Sequence, residues 1–286
     1  MYKKIVAGTD LSSTAKVATD RAALVATKLG ADLTLVHAGS DPGAPFEQLA
    51  KSYNAERIAE MGNPAEVLLT SCGRVGADLL VVGSVGMSGA RRFLLGSVPN
   101  KVSHHASTDL LIVKTDPPRN DGGDYRSILI GTDGSPTAMR AVDMASALAA
   151  KLGIRPTIVC AFQPPTEQEL KAMRADPADP VAQWSAGRTS RDTPEEFKWR
   201  IADASKATDI LERASEHAQK QGVEAEVRAV EGHPAETLIS IAESEDMDLI
   251  AVGSVGMSGA KRFMLGNVPH RISHHAPTDL LILHTT

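Results

Sequence analysis

The chain has 286 residues, 42% apolar and 23% charged, with a formal charge of -5, which suits a globular protein of two ordinary domains or one large one. That mild acidity, with no clustered basic face, excludes nucleic acid as a partner, and no apolar run approaches the ~20 residues of a membrane span. Aromatic residues make up only 3%, so the core must be built from Val, Leu, Ile, Ala and Met.

Met1, Tyr2, Lys3 and Lys4 run straight into an apolar strand at residues 5–8, without the pattern of a signal peptide. Ser13–Leu29 reads as a helix, with apolar residues at Val17, Ala18, Ala22, Val25 and Leu29. A strand at 33–38 follows, then a weaker helix at 46–53 and a strand at 56–60. Pro64 opens a helix running to about residue 74, as proline does at a first helical position. A strand at 79–82, a short helix at 98–105 and a last strand at 110–113 complete the unit. Cys72 and Cys160 have neither metal nor redox spacing. Cys160 lies in an apolar run and reads as an inert buried thiol, which fits a reducing cytoplasm.

The unit then repeats. Residues 79–113 and 249–283 match at 25 of 35 positions at a constant offset of 170, whereas the opening strands, 5–10 and 128–133, align at an offset of 123. The second copy is therefore 47 residues longer, and the extra length lies between Ala161 and Gly232, whose counterparts are Ala38 and Gly62. The layout is a first domain over 1–116, a turn-rich linker over 117–125 and a second domain over 126–286 with an insertion at about 163–200. The insertion carries Pro164, Pro165, Pro177, Pro180 and Pro194. Beyond it a long helix is expected over 194–221, with apolar Phe197, Ile201, Ala204, Ile210, Leu211 and Ala214. Near-continuous Val/Ile/Leu strands separated by helices predict an α/β fold. It consists of two tandem Rossmann-like domains, each a mostly parallel five-stranded sheet with helices on both faces.

In such sheets ligands bind beyond the carboxyl ends of the strands, at the switch point. Two elements of each copy sit there. Asp10 (Asp133 in the second copy) leaves the first strand, and the glycine-rich segment of Gly83, Gly86, Gly96 and Ser97 leaves the fourth. Glycines let a backbone approach an anion closely, and Gly96-Ser97 stands at a helix start, where phosphate is favoured. A plain strand-to-helix turn would account for the Gly-x2-Gly alone, and an Asp in such a turn also satisfies backbone N–H groups. The combination, present twice, points to phosphate or nucleotide. Arg91, Arg92, Lys261 and Arg262 lie within the loop, where pairing with phosphates is open to them but solvated surface charge is the favoured reading. Adjacent histidines on a helix point about 100° apart, so neither His104-His105 nor His274-His275 can share one ion; no metal site is expected.

Gly83-x2-Gly86-x9-Gly96-Ser97 resembles the G-x2-G-x9-G-(S/T) motif of the ATP-binding branch of universal stress proteins, a family with an adenine-nucleotide alpha-hydrolase-like fold. The resemblance spans nearly the whole chain in two family-sized units. It implies that Asp10 lies near adenine and ribose or assists a metal, that Val36 and Ala38 line an adenine slot, and that Gly83, Gly86, Gly96, Ser97 and Val98 hold ribose and phosphates. The matching set is Asp133, Val159, Ala161, Gly253, Gly256, Gly266, Asn267 and Val268. Asn267 departs from the family's Ser or Thr, so the two sites are unequal.

No P-loop, nucleophile elbow or HExxH is present. The expectation is a nucleotide-binding stress regulator rather than an enzyme, with at most slow ATP hydrolysis. ATP, with or without Mg2+, is the expected ligand; AMP, ADP and cyclic AMP are the alternatives, and an interaction module without nucleotide is the competing reading. The resemblance further implies an internal pseudo-dimer through the last strands, 110–113 against 280–283, and leaves a homodimer open.

Overall fold

The computed structural model describes residues 1–85, 95–115, 123–162, 204–254 and 265–284. The expected linker falls largely outside these residues and the insertion wholly so. The first copy forms β1 (Lys4–Gly8), α1 (Ser13–Leu29), β2 (Asp32–Ala38), α2 (Ala44–Ser52), β3 (Glu56–Glu60), α3 (Pro64–Val75), β4 (Leu79–Gly83), α4 (Ser97–His105) and β5 (Asp109–Val113). The second forms β6 (Ile128–Gly131), α5 (Pro136–Leu152), β7 (Thr157–Phe162), α6 (Ala204–Lys220), β8 (Glu226–Glu231), α7 (Pro234–Ser244), β9 (Leu249–Gly253), α8 (Asn267–His275) and β10 (Asp279–Leu283). Among the described residues no helix is long and apolar enough to cross a membrane.

Local chemistry sets these elements. The Ser12 hydroxyl accepts from Ala15 N at 3.1 Å, capping α1, and Ser135 caps α5 through Ala138 N at 3.2 Å; such a cap contributes about 1 kcal/mol. Helix α1 stops at Gly30, whose φ of +64° lets its N–H turn back to the carbonyls of Ala26 and Thr27. Between these signals Ala15, Ala18, Ala22 and Val25 form one buried stripe.

All ten strands join one sheet in the order β3-β2-β1-β4-β5-β10-β9-β6-β7-β8. Every pairing is parallel except β5 with β10, which run antiparallel with Leu111 opposite Leu281. Side-chain alternation divides the core into two layers. Ile5, Ala7, Leu111 and Val113 pack with α1, α2, α5 and α6, while Val6, Leu110 and Ile112 pack with α3, α4, α7 and α8.

The central pairing carries a reciprocal buried clamp. Asp109 accepts from the Tyr2 hydroxyl and from His284 N, each at 2.7 Å. Asp279 accepts from the Tyr125 hydroxyl at 2.7 Å and from Lys114 N at 2.8 Å. Each carboxylate thus ties the start of one strand to the chain leaving the other. The symmetry breaks at Arg21. Its Nε lies 3.2 Å from Asp279 Oδ2 in an ion pair too poorly aligned for a hydrogen bond, and its guanidinium stacks 4.3 Å from the Tyr125 ring centre. The matching position in the second copy is Met144. Burial pushes both carboxyls above their ordinary range; at Asp279 the Arg21 charge opposes the shift, and at Asp109 the Tyr2 hydrogen bond does.

Removing one partner of a buried pair strands the other's charge. In urea unfolding Asp279→Asn is therefore expected to lose about 3 kcal/mol or more. Asp109→Asn, which strands no cation, should stay within about 1 kcal/mol of wild type. Because Asp109 titrates above its unfolded value, the native state binds its proton more tightly, and that stabilisation fades as pH rises through the window between the two. The wild type should accordingly lose stability relative to Asp109→Asn on going from acid towards neutral pH.

Candidate functional site

Strand β1 lies between β2 and β4, so the connections leaving β1 and β4 part on opposite sides and open a crevice at their carboxyl ends. At the end of β1 the Thr9 N–H donates to the Val36 carbonyl at 2.9 Å, and the Thr9 hydroxyl accepts from Leu11 N at 3.1 Å. Asp10 Oδ1 accepts from Ser12 N at 3.0 Å. Thr132, Asp133 and Ser135 repeat the turn: Thr132 N bonds to the Val159 carbonyl at 3.0 Å, and Asp133 Oδ1 accepts from Ser135 N at 3.0 Å. Both aspartates therefore hold a helix entrance, the structural role open to them from sequence.

The residue after each aspartate is left-handed. Leu11 has φ of +64° and Gly134 φ of +76°. A non-glycine there costs roughly 1–2 kcal/mol, and Leu11 offsets this by packing against the core layer beside α1. At Gly134 no side chain fits, because a Cβ would lie 2.6 Å from Ile210 of α6. The longer second copy thus lays α6 over a turn that the shorter α2 leaves to leucine.

The glycine-rich segment is framed alike in both copies. Ser84 N bonds to the Val113 carbonyl at 2.7 Å and Ser254 N to that of Leu283 at 2.9 Å. Gly96 N returns to the Ser84 carbonyl, and Gly266 N to that of Ser254, both at 2.8 Å. A Cβ on Gly96 would stand 3.3 Å from the Ser84 oxygen and 3.5 Å from Val85 Cα, and one on Gly83 would stand 3.0 Å from Thr115 Cγ2. A side chain at either position would press on the neighbouring chain, which would have to give by a few tenths of an ångström. Helix α4 begins at Ser97, Asn100 N bonds to the Gly96 carbonyl, and Pro99 has no N–H. The N–H groups of Ser97 and Val98 are left without an intrahelical partner at the positive end of the helix. Asn267 and Val268 stand likewise at the head of α8.

In the first copy these parts enclose a cleft of about 680 Å³. Asp10, Val36, Ala38, Gly83, Gly96, Ser97 and Val98 all line it. Gly86 and Gly256 lie outside the described residues, as do Arg91, Arg92, Lys261 and Arg262. The lining also includes Thr9, which leaves β1 with Asp10 as the sequence places it, and His37, Pro64, Leu68 and Val82, which the sequence does not mark as site residues. Pro64 and Leu68 sit one turn apart on α3, so their shared face follows from helical spacing once α3 is placed over β1. His37 was hidden by strand alternation. The β1–β2 register ends at Gly8 opposite Val36, so His37 and Ala38 project past β1 into the crevice. The His37 ring Nδ1 is 3.0 Å from the Thr9 carbonyl oxygen. Among the described residues the lining holds one carboxylate and no lysine or arginine, and the donors these residues offer an anion are backbone N–H groups, a hydroxyl and a helix dipole.

Among the described residues no three His, Cys, Asp or Glu side chains stand ready to hold a metal ion. Burial pushes the Cys72 thiol up to about 12 and Cys160 to about 11, which leaves both unreactive.

The universal stress protein family profile matches residues 1–60, 44–114 and 124–284. The chain belongs to the universal stress protein family. Universal stress protein Rv1636 of Mycobacterium tuberculosis is 31% identical over 166 residues, 57% of this chain and 98% of its own length. A functionally unknown protein, PA1789 of Pseudomonas aeruginosa, has a crystal structure that overlays 99% of this chain and 93% of its own with a TM-score of 0.69. Its identity is 15%, so that likeness concerns the tandem fold. A universal stress protein crystallised in complex with cAMP is 29% identical over 57% of this chain and all of its own length, with a TM-score of 0.41.

The turn at Asp10 gives a stability test separate from any ligand. Asp10→Asn keeps an acceptor for Ser12 N and should unfold within about 0.5 kcal/mol of wild type, whereas Asp10→Ala should lose about 1 kcal/mol in the same denaturant series.

Proposed function

We propose that this universal stress protein is an adenine-nucleotide-binding regulator, with ATP as the ligand of the first-copy cleft. The observation that carries the reading is the convergence of three separate segments on one cleft, namely the β1 turn, the end of β2 and the glycine-rich segment before α4. The lining suits the parts of a nucleotide. Val36, Ala38, Pro64 and Leu68 offer apolar surface for a base, and the Ser97 and Val98 N–H groups with the Ser97 hydroxyl offer donors for phosphate.

Mg2+ fits this lining in a limited way. Asp10 supplies one hard oxygen donor, and Mg2+ commonly takes one or two carboxylates with phosphate oxygens and water. Asp10 would hold the ion, which would neutralise phosphate charge in a cleft whose described lining has no cationic side chain of Lys or Arg. In the second copy the same frame carries Asn267 in place of Ser97, and the two copies differ in phosphate contacts for that reason.

Ser97 is exposed at the head of α4, so its hydroxyl can be removed without disturbing the core. Titration calorimetry of nucleotide-stripped protein with ATP and Mg2+ should give saturable binding. Ser97→Ala should bind about five-fold more weakly at an unchanged melting temperature, the cost of about 1 kcal/mol for one hydrogen bond. Asp10→Asn should lose the dependence on Mg2+. Cyclic AMP titrated in parallel identifies the alternative ligand, and an absence of heat with either nucleotide would leave the interaction module as the reading.

A further inference from the structure

Adjacent histidines on one helix point about 100° apart. The fold, however, brings together histidines that are not adjacent. His270 and His274 lie one turn apart on α8, with ring centres 4.7 Å apart. His104, on α4 of the other copy, places its ring centre 5.8 Å from that of His270. The His270 ring thus neighbours both of the others, on the helices α4 and α8 of the layer shared with α3 and α7.

We propose that His270 and His274 chelate a divalent transition-metal ion of the zinc class, with His104 completing a site that joins the two copies. Two histidines at i and i+4 present their rings to the same side of a helix, the spacing that zinc sites use. With metal–nitrogen bonds of about 2.0–2.1 Å, two imidazoles on one tetrahedral ion hold their ring centres about 5 Å apart. The separations of 4.7 and 5.8 Å bracket that value.

The side chains are suited to the task in a second way. His274 Nε2 is buried and has no hydrogen-bond partner, an arrangement that costs stability unless something meets the lone pair or the N–H. The donor atoms of the three rings do not yet converge on one point. The pair on α8 is therefore the chelate, and His104 joins it by rotation of its side chain. His270 is exposed and provides the route of entry. Its counterpart in the first copy is Asn100, so the ion is held on one side of the seam and reached from the other. His105 and His275 are exposed at the helix ends and take no part.

The test is calorimetric titration of the untagged, nucleotide-free full chain with zinc chloride. A visible spectrum with Co2+ then reports on the geometry. One saturable site of micromolar affinity is expected, with the intense absorption of tetrahedral cobalt. His270→Ala, a surface change that leaves the fold intact, should weaken binding by a hundredfold or more. His104→Ala should weaken it about tenfold and shift the cobalt spectrum. His105→Ala should bind as wild type. Zinc binding that survives His270→Ala, or no saturable binding at all, would overturn the site. Binding lost at His270→Ala but unaltered at His104→Ala, in both affinity and spectrum, would overturn the join between copies.

Discussion

Everything in this molecule is arranged around the antiparallel contact of β5 with β10. Two parallel five-stranded sheets each end in a strand of Leu, Ile and Val that water would expose along one edge. Pairing the two edges with each other satisfies their backbone groups and removes both templates for aggregation. The pairing is specified by more than hydrophobic match. Asp109 and Asp279 reach across it to the backbone of the opposite copy while holding a tyrosine of their own copy. A slip of register would leave two buried carboxylates without these donors, which is far costlier than a slip along a plain apolar edge. The seam also carries the layer on which the α4 and α8 histidines meet.

The candidate cleft depends on that frame, and its described lining carries little side-chain charge. Its donors are backbone N–H groups at the head of α4, and its apolar surface comes from the end of β2 and one face of α3. Such a site is fixed by the path of the chain more than by residue identity. That explains how Ser97 can become Asn267 while the Gly266-to-Ser254 closure stays the same. It also explains why the glycines read so clearly as a motif. Gly83 and Gly96 stand where any Cβ would press on the neighbouring chain.

Much of this was legible in the sequence, for identifiable reasons. A repeat at constant offset reveals duplication whatever the fold, and helices such as α1 announce themselves through an apolar stripe at Val17, Ala18, Ala22, Val25 and Leu29. The ends of β4 and α4 were each misjudged by one residue, at Gly83 and Ser97. In both cases backbone closure of the glycine-rich segment, not side-chain pattern, decides the boundary. What stayed hidden is tertiary. His37 enters the cleft because β1 stops pairing at Gly8, a fact of register. Nothing in the sequence marks Arg21, and only the placement of α1 against the second copy shows it buried beside Asp279. His104 and His270 are far apart in the chain, and no spacing rule joins them.

The pairing of Arg21 with Met144 at matching positions has a further consequence. A chain assembled from two first halves would bring a guanidinium to both seam carboxylates, and one assembled from two second halves would bring none. The existing order supplies one. The halves have thus ceased to be interchangeable parts: what began as a duplicated unit has become a left and a right piece, and each survives best with the other as its neighbour.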